Sequence, residues 1–157
     1  MTNEKRHSPL LFSAVLLLLQ LGILALGALP NAVMSASATA PDEWITVTCS
    51  YYSLYPIGAG AYFAPAFSIL FAVLSAGWCT VCLIRRRSVL ETRWIWVAAF
   101  DLTICVLSFS SLWRYGPAYL SPSNYGIAAL SLAAFFFLIL AQRRSAKRRK
   151  AEEDLPQ

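Results

Sequence analysis

The chain has 157 residues, a length that would suit one soluble domain. Composition excludes that class: hydrophobic residues make up 58% and Asp, Glu, Lys and Arg only 13%, about half the charged share of an average soluble domain, and mean hydropathy is +0.57. Disorder is excluded by the same hydrophobicity, and the net charge of +5 sits beside apolar runs, where it reads as a topology signal and not as a nucleic-acid footprint. An all-α membrane protein is expected, with four transmembrane helices in an up-down-up-down bundle and a small irregular extracellular cap.

A helix crossing a hydrocarbon core of about 30 Å needs about 20 residues. Residues 1–9 form a cytoplasmic flank carrying Lys5 and Arg6. The first crossing is expected over residues 10–29, stopped by Pro30 and Asn31. Lys5-Arg6, this Leu-rich run and Ala38-Thr39-Ala40 together have the pattern of a signal peptide cleaved after Ala40. The run exceeds the 7 to 15 residues or so of a signal core, so it is read as a retained helix. Residues 30–60 form an extracellular loop. Its start, residues 31–41, is small, polar and flexible, whereas Trp44-Ile45-Thr46-Val47-Thr48-Cys49 alternates like a strand. The loop is read as an amphipathic segment lying on the headgroups, with a partner-recognising cap as the alternative.

The second crossing is expected over residues 61–84, ended by Arg85-Arg86-Arg87. A cytoplasmic link (85–93), a third crossing (94–113), an extracellular loop (114–124), a fourth crossing (125–141) and a basic cytoplasmic tail (142–157) complete the chain. Twelve of the thirteen Lys and Arg residues lie in the three flanks on one side of this path, and only Arg114 lies on the other. Basic residues favour the cytoplasmic face, so both termini are expected in the cytoplasm of a cell (plasma) membrane. All seven tyrosines fall toward the other face, where an aromatic belt belongs.

Asp101 is the one ionisable residue well inside a predicted helix. It lies seven residues beyond Trp94, about 11 Å deep at 1.5 Å per residue. Asp101, Cys105, Ser108 and Ser111 follow steps of four, three and three, so they share a helical face that should point inward. No Lys, Arg or His lies at comparable depth, which leaves Gln20, Ser75, Thr80 or Ser131 as partners. An intramembrane carboxyl is a functional-site hypothesis by default. It can fasten helices as a neutral or hydrogen-bonded group, or it can carry protons or ions.

Small residues at Ala64, Ser68, Ala72 and Ala76, and at Gly126, Ala129 and Ala133, form stripes suited to close helix packing. Cys79 and Cys82 have the spacing of a redox pair, read mainly as small core residues. His7 is the only histidine, so neither zinc nor haem is well served, and no cofactor or catalytic set is expected. Arg143, Arg144, Lys147, Arg148, Arg149 and Lys150 form a juxtamembrane cluster able to attract anionic lipid headgroups. The leading expectation is an accessory protein that binds, assembles or stabilises a larger membrane complex. Its partners are the bilayer and either a membrane protein or a second copy of the chain. One alternative is a small oligomeric transporter or proton channel using Asp101. A weaker one is a thiol redox protein using Cys79 and Cys82.

Overall fold

A computed structural model describes residues 4–30, 32–40, 43–52, 63–91 and 94–153. In chain order they form α1 (Glu4–Gly27), β1 (Val33–Ala40), β2 (Glu43–Cys49), α2 (Phe63–Ile84), α3 (Trp94–Ser108), α4 (Ser110–Tyr115) and α5 (Pro122–Glu153), with 3-10 turns at Val89–Glu91 and Pro117–Tyr119. The chain is mainly helical, and three helices are long and apolar enough to cross a membrane: Leu10–Gly27 within α1, Phe63–Ile84, and Pro122–Lys147 within α5.

Local sequence explains where these helices start and stop. Ser121 precedes Pro122, and its Oγ accepts the Asn124 N–H at 3.3 Å, so a serine cap with proline in the first turn opens α5. Pro65 sits in the first turn of α2, where a missing N–H costs nothing. The end of α2 is a Schellman motif. Arg86 takes φ of 52°, the Arg87 N–H reaches the Cys82 carbonyl at 2.9 Å, and the Arg86 N–H reaches Leu83 at 3.1 Å.

Three expectations need correction, on the third segment, the start of the first loop and the α5 stripe. The third segment is not one helix over residues 94–113: it turns at Phe109, and α4 begins at Ser110. Residues 33–40 are not an irregular, flexible start to the loop but a strand. β1 pairs antiparallel with β2, from Val33 opposite Cys49 to Ala40 opposite Glu43, with an irregularity between Ala38 and Ala40. The backbone groups of β1 are satisfied by its neighbour, so its small residues need little strand propensity of their own. Residues 142–153 are helical and extend α5 through the basic run, as expected of Ala, Lys, Arg and Glu. The α5 stripe is also mis-phased: Ala129 and Ala133 are exposed, while Ala128, Ser131 and Ala134 are buried. The α2 stripe fares better, since Ser68, Ala72 and Ala76 are all buried. Residues 53–62, including Tyr55, Pro56, Gly58 and Gly60, lie outside the described residues.

α1 packs against α2 and α5, and α3 packs against α2 and α5, so these helices close a ring of neighbours. Two apolar clusters fill it. One holds Leu16, Cys79, Cys82, Val89, Val97, Ala98, Ala134 and Leu138. The other holds Ile23, Ala32, Tyr51, Ala72, Ile104 and Ile127. The hairpin end is tied to the second cluster through Tyr51, whose N–H donates to the Gly27 carbonyl at 2.8 Å.

Candidate functional site

Each of the ring-forming helices contributes buried residues to both clusters, and between them each contributes a polar one. On α1 the order is Leu16, Gln20, Ile23; on α2 it is Ala72, Ser75, Cys79. On α3 it is Ala98, Asp101, Ile104; on α5 it is Ile127, Ser131, Ala134. Gln20, Ser75, Asp101 and Ser131 all have 0% exposure. A polar layer therefore separates two apolar ones, with one side chain from each helix of the ring.

The layer is held across the ring by one strong contact. Gln20 Nε2 donates to Asp101 Oδ1 at 2.6 Å, with both groups buried. Of the partners expected for Asp101, Gln20 is the one engaged through a hydrogen bond. A carboxylate or carboxylic acid here needs such a donor, because an unpaired buried polar group costs more than a made bond returns. Ser131 satisfies itself by donating to the Ile127 carbonyl at 2.8 Å. Ser68, Thr80, Thr103 and Ser108 do the same to the carbonyl four residues earlier, at 2.8 to 2.9 Å. Three buried atoms have no hydrogen-bond partner among the described residues: Gln20 Oε1, Asp101 Oδ2 and Ser75 Oγ.

The predicted Asp101 face is realised in part. Asp101, Cys105 and Ser108 are buried along α3. Ser111 falls beyond the Phe109 turn, on α4, and its side chain lies outside the described residues. Cys79 and Cys82 are both buried in the first apolar cluster. Among the described residues, no three His, Cys, Asp or Glu side chains are grouped to hold a metal. Of the basic cluster, Arg143, Arg144 and Lys147 are exposed on α5. The side chains of Arg148, Arg149 and Lys150 lie outside the described residues.

A second polar site escaped the sequence reading. Ser121 Oγ lies within hydrogen-bond distance of the Ala32 carbonyl at 3.0 Å and of Asn124 Oδ1 at 2.9 Å. Tyr51 Oη approaches the same Asn124 oxygen at 3.5 Å, and Tyr52 Oη donates to the Leu24 carbonyl at 3.0 Å. These contacts lock the hairpin end onto α1 and α5. The Ser121-Pro122 start signal could have located half of this cluster; the Tyr51 half depends on contacts distant in sequence. At the opposite end, Ser13 Oγ accepts the Val89 N–H at 3.3 Å and fixes the Arg-rich link to α1. No protein-family model, curated protein or solved structure matches the chain.

Proposed function

We propose that the protein is an integral membrane accessory component that binds, assembles or stabilises a larger membrane complex. The observation that carries this reading is the buried Gln20–Asp101 hydrogen bond. The one carboxyl placed deep among the apolar helices is fully enclosed and fastened to another helix. Such a group serves helix packing, and interaction with other molecules then falls to the surface. A neutral, protonated Asp101 would keep charge out of the apolar interior.

In this reading the molecule is a multi-pass, up-down-up-down four-helix bundle in the cell membrane. The hairpin faces outward, and the termini and the Arg85-Arg86-Arg87 link face the cytoplasm. The alternation of direction is supported by the order of the clusters. α1 and α3 run from the first cluster to the second, and α2 and α5 run back. α1 supplies Gln20, Leu16 and Ile23 to the interior, which favours its retention over cleavage after Ala40. The basic stretch of α5 would then meet anionic headgroups.

Purification from native membranes in mild detergent tests the proposal. A stoichiometric membrane-protein partner, or a defined homo-oligomer, is the expected result; a lone monomer contradicts it. Proton or ion flux in liposomes above that of empty vesicles, lost in Asp101→Asn, would replace it with the transport reading.

A further inference from the structure

A cleft of about 280 Å³ lies between α2 and α3, lined by Leu74, Ser75, Trp78, Trp96, Val97 and Phe100. Leu74 and Trp96 are exposed at its rim, so it opens sideways from the ring, whereas Val97 and Ser75 are buried at its base. Phe100 already stacks on Phe71, with centroids 5.0 Å apart and planes 14° from parallel. The cleft thus continues a run of flat aromatic surfaces.

Its base is chemically unusual. Five other helical hydroxyls, Ser68, Thr80, Thr103, Ser108 and Ser131, donate to the carbonyl four residues back. Ser75 instead has 0% exposure and an unpartnered Oγ, and it lines this cleft. Ten residues separate it from Arg85 at the end of α2, about 15 Å of helix, which is near the middle of a hydrocarbon core of about 30 Å. Water is scarce at that depth, so a partner reaching the hydroxyl from outside the chain would be a molecule that dissolves in the bilayer. A hydrocarbon chain could fill the walls but would leave the hydroxyl unpaired.

We propose that this cleft binds the ring of a small, flat, bilayer-dissolved molecule carrying a carbonyl acceptor, the chemistry of a quinone head group. Ser75, whose hydroxyl is covered in this structure, turns outward to donate to the carbonyl, and the electron-poor ring lies against Trp78, Trp96 and Phe100, whose faces are electron-rich. A cleft of this size stands at the lower limit of ligand sites, which are mostly apolar with a few placed polar groups. A ring head group suits it, with any isoprenoid tail leaving through the open side into lipid.

The test uses the full chain in detergent micelles and two probes of nearly the same shape, menadione and 2-methylnaphthalene, which lacks the carbonyls. Tryptophan fluorescence should be quenched saturably by menadione, and 2-methylnaphthalene should compete only weakly. Ser75→Ala should weaken menadione binding about five-fold, the effect of one hydrogen bond, at an unchanged melting temperature. Should that variant fail to fold, Trp96→Ala, at an exposed rim position, decides: the saturable component should shrink. Quenching that rises linearly, equal competition by 2-methylnaphthalene, or unchanged binding in folded Ser75→Ala would each overturn the proposal. So would unchanged quenching in Trp96→Ala.

Discussion

Asp101 and Gln20 behave as a pair, so their substitutions should not add. Asp101→Asn keeps the size and one acceptor for Gln20 Nε2, and the melting temperature in detergent should stay near that of the parent chain. Asp101→Leu removes the acceptor and strands the Gln20 amide, with an expected loss of about 0.6 to 2 kcal/mol. Combining Gln20→Leu with Asp101→Leu should then cost less than the sum of the single changes, because the second removes a group the first has already orphaned. Strict additivity would show that the 2.6 Å contact contributes nothing to the fold. Cys49 offers a separate test near the hairpin end. Burial raises its thiol above the ordinary value. The thiolate is the reactive form, so maleimide labelling near pH 8 should be slower for the folded chain than for the unfolded chain. The difference should narrow as pH climbs past the folded value. Cys79, Cys82 and Cys105 are buried and should label only after unfolding.

The helices pack through particular small residues, not through a general smallness of the sequence. A Cβ at Gly126 would meet Leu26 Cδ1 at 2.8 Å, and one at Gly22 would meet Leu130 Cδ1 at 3.0 Å. Each glycine receives a leucine from the other helix, so α1 and α5 interlock reciprocally. Gly77, by contrast, has nothing within 4 Å. Gly126→Leu should therefore destabilise by about 1 to 3 kcal/mol through overpacking, while Gly77→Leu should leave the melting temperature nearly unchanged. Equal effects in a thermal melt would refute the interlock. The same contrast explains what the sequence could reveal. The apolar runs of α1, α2 and α5 were legible because length and hydropathy are local properties. The phase of the α5 stripe was not, because 3.6-residue periodicity is blurred when residues facing lipid are as apolar as those facing the core. The Phe109 turn was hidden for a similar reason: Leu107-Ser108-Phe109-Ser110-Ser111 contains neither glycine nor proline. β1 was missed because Ser35-Ala36-Ser37-Ala38 becomes a strand only when β2 supplies the partner groups.

At the scale of the whole molecule, a layer of Gln20, Ser75, Asp101 and Ser131 lies between two apolar clusters. The Gln20–Asp101 pair was foreseeable in outline, since a carboxyl without a cation had few polar residues to meet. The choice of Gln20 among the candidates required the ring order of the helices. The membrane reading places this layer near mid-bilayer only if the hairpin and the Arg85-Arg86-Arg87 link lie on opposite faces. Native Cys49 marks the hairpin end, and Arg85 is an exposed position at the other. The most direct measurement is labelling of intact cells with a membrane-impermeant maleimide, comparing native Cys49 with Arg85→Cys in a Cys49→Ser background. The account predicts that Cys49 reacts from outside and that the cysteine at 85 reacts only after the membrane is opened. Labelling of both sites from outside, or of the site at 85 alone, would contradict it.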